Sequence, residues 1–335
     1  MALFSRNLGI DLGTERVRIA EGDQVLLDEP TLVAVAAAEQ RMVAAGEEAA
    51  QMEGRAPDVY EVIRPLQNGV VAYYELTEKL LRILLRKAGG TSWLFRPKVM
   101  ITVPYGVTSV ERRAVHEAAL QAGSSEVFLI PNPLASALGA DLPVSSPAGN
   151  MIVNLGAGTT QAAVIAMYGV VAAETLRRGG RDLDEAIITY VRRKYGLILG
   201  QPTAEQVKFK IGAAVPLDEE MSAEVQGQDQ VSGLPREITL TTSEIVEALQ
   251  DPLHEMVETV RRVMEKTPPE LVADVIDRGV ALCGGTALLR GLDRLMTKEL
   301  GVPAYLVDDP ANAAVLGAAR GLEQLPVLRR HLVPI

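Results

Sequence analysis

Three short turns built from glycine, alanine and threonine are the parts of this sequence best suited to chemistry: Asp11-Leu12-Gly13-Thr14, Gly156-Ala157-Gly158-Thr159-Thr160 and Cys283-Gly284-Gly285-Thr286-Ala287. Residues without bulky side chains let backbone N–H groups converge, and threonine adds a hydroxyl, so each turn suits an anion. The third turn leads into a stretch read as a helix from Leu288 to Leu300, whose N-terminal amides would face a phosphate or a nucleoside. Asp11, Glu15 and Arg16 add charge beside the first turn. Glu205 and Lys208, three positions apart in a helical stretch, share one helix face, where the plainest reading is a surface ion pair.

Strands must aim these turns. Asn7 to Asp11 and Arg16 to Glu21 alternate as strands and form a hairpin with Gly13 at its tip, and Thr31 to Ala38 reads as a further strand. Half a chain later the design repeats: Met151 to Asn154, a small-residue turn with threonine, then Gln161 to Met167. Such self-similarity points to a duplicated domain. Gly279 to Leu282 is the strand ahead of the third turn. Leu76 to Ala88 carries an apolar helical stripe, Lys98 to Val103 is a strand, and Ser109 to Ala122 is a helix closed by Gly123. Leu217 to Leu234, polar and rich in Gln and acids, reads as an exposed loop or peripheral strand region.

Bulk properties narrow the choices. The 335 residues, 48% of them hydrophobic, allow a core for about two domains. A net charge of -10, from 33 basic and 43 acidic residues, argues against nucleic acid as a partner. One cysteine, Cys283, allows neither a disulfide framework nor a thiolate metal cluster and fits a reducing cytoplasm. His116, His254 and His331 show no metal-ligand spacing. A strand begins by Leu8, which leaves no room for a signal peptide. No charge occurs between Asp141 and Glu174, yet Pro143, Pro147, Gly149, Gly156 and Gly158 break that stretch into turns and strands.

In their order along the chain, Gly9-Ile10-Asp11-Leu12-Gly13-Thr14, Asn154-Leu155-Gly156-Ala157-Gly158-Thr159-Thr160 and Leu282-Cys283-Gly284-Gly285-Thr286-Ala287-Leu288-Leu289-Arg290 resemble a superfamily's two phosphate loops and adenosine loop. That superfamily holds actin, hexokinase and DnaK-type chaperones. Within it the chain resembles the MreB family from end to end, through Val110-Glu111-Arg112-Arg113-Ala114, Glu126-Val127-Phe128-Leu129-Ile130, Asp184-Glu185-Ala186-Ile187-Ile188, Thr203-Ala204-Glu205 and Lys266-Thr267-Pro268-Pro269-Glu270-Leu271. The resemblance implies an α/β, actin-like fold of two lobes, each with an RNase H-like core and a small subdomain, around a nucleotide cleft. Residues 1–33 with 67–147 and 317–335 would form the first core and 34–66 its small subdomain. Residues 148–183 with 247–316 would form the second core and 184–246 its small subdomain.

Carried over residue by residue, the resemblance sets Asp11 near the metal, through water, and Gly13, Thr14, Glu15 and Arg16 at the first phosphate loop. Gly156, Ala157, Gly158 and Thr159 fall at the second loop, Glu205 and Lys208 at ribose and adenine contacts, and Gly284, Gly285, Thr286 and Ala287 at the adenosine loop. The implied ligand is ATP or ADP with Mg²⁺. Thr160 keeps the catalytic pattern, but Asn132, Asn154 and Gln161 replace acids, as do Asn68 and Arg181. An amide cannot act as the general base, a role worth about 10²- to 10⁴-fold in rate. Asn154 also lacks the charge that draws Mg²⁺, so metal binding is weakened, whereas the backbone cradle persists. Nucleotide binding is therefore expected to outlast hydrolysis. Two orientations are open to Glu15: inward, opposing a triphosphate, or outward along the hairpin. Arg16 could contact phosphate and partly replace the metal.

The implied protein is cytoplasmic, peripheral at the inner face of the cell membrane, and assembles with itself into filaments. It would work with cell-wall synthesis or shape proteins, with hydrolysis slow or lost. Alternatives are a nucleotide-locked, non-polymerising adaptor of an active relative and a superfamily phosphotransferase such as a sugar kinase, against which the missing acids count. A DnaK-type chaperone is disfavoured because Ile335 follows soon after the final helix.

Trp93, Leu94 and Phe95 stand where the family has an apolar membrane-inserting loop, with Arg96 and Lys98 beside them for anionic headgroups. The competing reading is a loop folded back on its own domain. Leu and Phe contribute roughly 1.5–3 kcal/mol each when buried, so one subunit binds lipid marginally and an array binds through multivalency. Replacing Trp93, Leu94 and Phe95 by serine is expected to abolish co-sedimentation with anionic liposomes; unchanged sedimentation would refute the assignment.

Overall fold

The computed structural model describes residues 6–39, 41–55, 57–89 and 96–334. Trp93, Leu94 and Phe95 lie outside them. Alternating apolar residues build the first hairpin: Leu8, Ile10 and Leu12 on Asn7–Leu12, and Val17 and Ile19 on Arg16–Glu21, turn inward and are buried. Gln24–Pro30 extends the hairpin antiparallel. On its other side Asn7–Leu12 pairs in parallel with Lys98–Val103, which pairs in parallel with Glu126–Pro131. The helices Tyr74–Gly89 and Ser109–Ala122 supply the crossovers, the second held at its start by a reciprocal Thr108–Glu111 cap and closed by left-handed Gly123.

The second sheet follows the same plan. Asn150–Leu155 and Thr160–Ala166 form the hairpin, Gly169–Leu176 extends it antiparallel, and Val280–Cys283 and Ala304–Leu306 add two parallel strands. Strand order and direction match the first sheet, and in both a register shift falls between the second and third strands. Two separate apolar clusters lie behind the sheets. Each lobe also carries a small antiparallel sheet: Val33–Ala36 between Arg41–Ala45 and Tyr60–Ile63 in one, and Ser222–Asp229 between Leu197–Ile198 and Pro235–Thr241 in the other.

One element is settled between two sequence readings and one differs from its reading. Leu217 to Leu234, read as an exposed loop or a peripheral strand region, contains the whole strand Ser222–Asp229, whose one deeply buried side chain, Val225, makes the alternation faint. The helix expected from Leu288 to Leu300 is divided into a 3₁₀ turn, Gly285–Leu288, and the helix Leu292–Leu300, because Gly291 at φ 71° breaks the run. Among the described residues no helix is long and apolar enough to cross a membrane.

The two halves join where helix Asn132–Gly139, packed chiefly on the second large sheet, crosses helix Ala313–Glu323, packed on the first, at backbone contact. A Cβ on Gly317 would lie 1.7 Å from the Ala135 carbonyl oxygen, and one on Gly139 would lie 1.8 Å from that of Ala313. Because both obstacles are backbone, no side-chain rotation relieves them. Gly317→Val is expected to lower stability by about 3 kcal/mol or more, read as a lower urea midpoint or loss of soluble protein. A midpoint equal to the parent's would show that the crossing yields freely.

Candidate functional site

A cleft of about 480 Å³ opens between the two large sheets. Asp11, Gly13, Thr14, Glu15 and Arg16 line it from the first hairpin, and Asn154, Gly156 and Ala157 from the second. Gly284, Gly285 and Thr286 form part of its floor, with Glu205 and Lys208 on helix Gln201–Ile211. Asn132, Gly158, Thr159, Thr160, Gln161 and Ala287 stand behind this wall rather than on it.

The two hairpin turns are built alike: the Gly13 N–H donates to the Arg16 carbonyl at 3.1 Å, and the Gly156 N–H donates to the Thr159 carbonyl at 2.8 Å. They also touch. A Cβ on Gly158 would lie 2.5 Å from Thr14 Oγ1, so a side chain there would force the turns apart. Thr14 Oγ1 in turn accepts the Gly69 N–H at 2.9 Å. Asn68 and Gly69 both have positive φ, 48° and 78°, in the tight turn joining Leu66–Gln67 to Val70–Val71. An Asn-Gly pair is the favoured sequence for that geometry, which gives Asn68 a structural reason.

At Asn154 on the wall and at Asn132 and Gln161 behind it, amides occupy the positions expected to be acidic. Asn154 and Gln161 face each other across the second hairpin. Asn154 Nδ2 donates to Ser136 Oγ at 2.8 Å, and that hydroxyl donates to Asn132 Oδ1 at 3.3 Å, so a hydroxyl links two of the three. Gln161 Oε1 accepts the Tyr105 N–H at 2.9 Å, and its Nε2 donates to Thr159 Oγ1 at 3.2 Å. Thr160 Oγ1 is committed to the Arg178 carbonyl. The Asp11 carboxylate accepts the Thr102 hydroxyl at 2.6 Å. Burial pushes the Asp11 carboxyl above the usual carboxylate range, against the pull of Thr102 and Arg18. Among the described residues no group of three or more His, Cys, Asp or Glu is arranged to hold a metal ion.

The charged residues of the cleft pair with one another. Glu15 turns inward and lies between Arg64 at 2.8 Å and Arg181 at 3.2 Å. Arg16 is held by Asp28 at 2.6 Å. Lys208 binds Asp184 at 2.6 Å and the Gly180 carbonyl at 2.9 Å, in place of the ion pair with Glu205 that the helix spacing offered. Burial raises the Asp184 carboxyl to about 6 although Lys208 opposes it, and burial next to Glu15 raises that of Glu205. Sequence reasoning missed Phe209 and gave Leu288 and Arg290 no part beyond the adenosine-loop stretch that contains them; all three line the cleft with Lys208 and Thr286. Phe209 and Leu288 are 61% and 58% exposed, unusual for large apolar side chains and a good surface for a flat ring. Arg290 fixes this lip by donating to the Phe209 and Gly212 carbonyls. Cys283, behind the third turn, is fully buried, which pushes its thiol up to about 12.

Two lobes of one topology, with small-residue turns converging on a cleft, define an actin-like protein, and solved structures agree. MreB5 of Spiroplasma citri bound to ADP superposes with a TM-score of 0.91 at 30% identity, covering 97% of this chain and 98% of that one. The same protein bound to AMPPNP gives the same values. A MamK double helical filament structure shares the fold, with a TM-score of 0.81 at 22% identity over 96% of this chain and 99% of that chain. The family model described as MreB/Mbl protein matches residues 5–330. The cell shape-determining protein MreB of Escherichia coli (strain K12) is 45% identical over 329 residues, 96% of this chain and 95% of the relative. The cell shape-determining protein Mbl of Bacillus subtilis (strain 168) is 39% identical over 330 residues, 98% of this chain and 99% of the relative. The chain belongs to the MreB/Mbl family.

Gln161 joins a strand of the second lobe to the Tyr105 backbone of the first. Gln161→Leu keeps the approximate bulk and removes both amide contacts. It is expected to destabilise the protein by about 1–3 kcal/mol, measured as a shift in urea unfolding. An unchanged midpoint would mean the bridge contributes nothing to joining the lobes.

Proposed function

We propose that this chain is a cell-shape cytoskeletal protein that binds adenine nucleotide in the cleft, assembles into filaments and hydrolyses ATP very slowly or not at all. The convergence of the glycine turns at Gly13, Gly156 and Gly284 on one cleft with an apolar lip carries the reading. A cleft of about 480 Å³ is within the size range of small-ligand sites. Phosphates would lie against the first two turns, and the base against Phe209 and Leu288, with Glu205 beside the ribose. Filament assembly, a position at the inner face of the membrane and work with cell-wall synthesis proteins rest on family membership, since the MreB and Mbl relatives are named as cell shape-determining.

Slow hydrolysis follows from the amides. Asn154, Asn132 and Gln161 all have hydrogen-bond partners, and none can take a proton from water. Because Ser136 bridges Asn132 and Asn154, restoring one acid alone leaves either the water without a base or the phosphate without polarisation. Asn132→Glu with Asn154→Asp is therefore expected to raise phosphate release at least about tenfold, and either change alone to do little. The measurement is steady-state phosphate release from parent, single and double variants at saturating Mg-ATP, with nucleotide occupancy determined separately. Full occupancy with no gain in the double variant would sink the account of a silenced ATPase. An empty cleft in every variant would sink the nucleotide site itself.

A further inference from the structure

Glu15 and Arg181 are 166 positions apart and meet in the fold. Glu15 directly follows the first turn. Arg181 lies in the first turn of helix Gly180–Tyr195 of the other lobe, where its backbone N–H donates to the Ala157 carbonyl of the second turn at 2.9 Å. Its guanidinium reaches across the cleft to the Glu15 carboxylate at 3.2 Å. A cation thus already holds an anion where the two small-residue turns converge.

That anion can be exchanged. The other carboxylate oxygen of Glu15 is bound by Arg64 at 2.8 Å, so Glu15 keeps an ion-pair partner if Arg181 turns away. The side chain of Arg181 is 31% exposed and can move, whereas that of Arg64 is 12% exposed and is also tied to Glu53. Cations outnumber acids on the cleft wall, although the chain as a whole carries -10.

The fold family implies Mg²⁺, and the residues present do not fit it. Asp11 gives one carboxylate oxygen to the Thr102 hydroxyl, both oxygens of Glu15 are paired with arginines, Asn154 supplies a neutral amide engaged with Ser136, and Arg181 puts a positive charge where an acid is expected. A hard divalent cation takes carboxylate oxygens that are free of other cations, and here it would compete with two arginines for Glu15 and be repelled by the guanidinium of Arg181.

We propose that the phosphates of the bound nucleotide are neutralised by Arg181 in place of a divalent cation, with Arg181 exchanging the Glu15 carboxylate for phosphate while Arg64 retains Glu15. This rests on the reading of the cleft as a nucleotide site. A guanidinium matches phosphate with two parallel N–H donors, and its charge does not titrate in the physiological range. A fixed cation also makes binding independent of the concentration of free metal.

The test is titration of the full-length protein with fluorescent ADP and ATP analogues, in Mg²⁺ and in EDTA. Affinity in EDTA is expected within about threefold of that in Mg²⁺, and Arg181→Ala is expected to weaken it at least about tenfold in both buffers. Arg181→Lys should retain part of the affinity, and Glu15→Gln should tighten binding by removing the competing carboxylate. The parent comparison requires no variant to fold. A loss of tenfold or more on metal removal, or an Arg181→Ala variant that binds as well as the parent, overturns the inference and leaves the nucleotide site standing. Absence of binding in both buffers overturns the site and the inference together.

Discussion

Backbone contact between the lobes governs this structure. At the helix crossing, Gly139 and Gly317 admit the opposite carbonyls, and at the cleft Gly158 admits Thr14. At the helix crossing backbone meets backbone, and at the cleft the backbone of the second turn meets the short Thr14 side chain of the first, so the separation is set by contacts with little room to give. The facing turns then have a defined spacing, and everything that spans them inherits it. The Gln161 bridge to Tyr105 and the Glu15 bridge to Arg181 both need that spacing to within a few tenths of an ångström, the tolerance of a hydrogen bond.

The chemistry of the cleft shows a division between neutral and charged groups. From Asn154 on the wall inward, amides and hydroxyls donate and accept in series, so Asn154, Ser136 and Asn132 are linked without a counter-ion. Carboxylates in the same places would be crowded, buried like charges needing a cation between them. On the wall itself the charges are paired: Glu15 with two arginines, Lys208 with Asp184 and Arg16 with Asp28. The interior can therefore keep its geometry whether or not an anion enters, and adjustment falls to side chains with solvent access, Arg181 above all.

Much of the architecture was legible because it is local. Alternating apolar residues on either side of a glycine–threonine turn mark both hairpins, and their recurrence half a chain apart announced two lobes of one topology. Gly291 was passed over in reading a helix through it, since an isolated glycine in an apolar-periodic run leaves the pattern intact while its backbone takes the left-handed conformation. Pairings between distant positions were not legible. Nothing near Glu15 in sequence says that Arg64 and Arg181 will flank it, so sequence leaves the inward and outward orientations open, and the fold brings the arginines in. Lys208 likewise had Glu205 as its sequence neighbour and Asp184 as its actual partner. Phe209 carried one missed signal, an aromatic directly after a residue already assigned to the cleft.

Cys283, at the buried end of its strand with its thiol pushed up to about 12, is the one cysteine in the chain. Such a thiol stays protonated and out of reach of aqueous reagents. The native protein is thus effectively blank to thiol chemistry. A cysteine introduced at any exposed position would be the single reactive one, with no need to remove a native residue from behind the third turn. Labels and cross-linkers could then report, position by position, which surfaces become covered when copies of the chain are mixed.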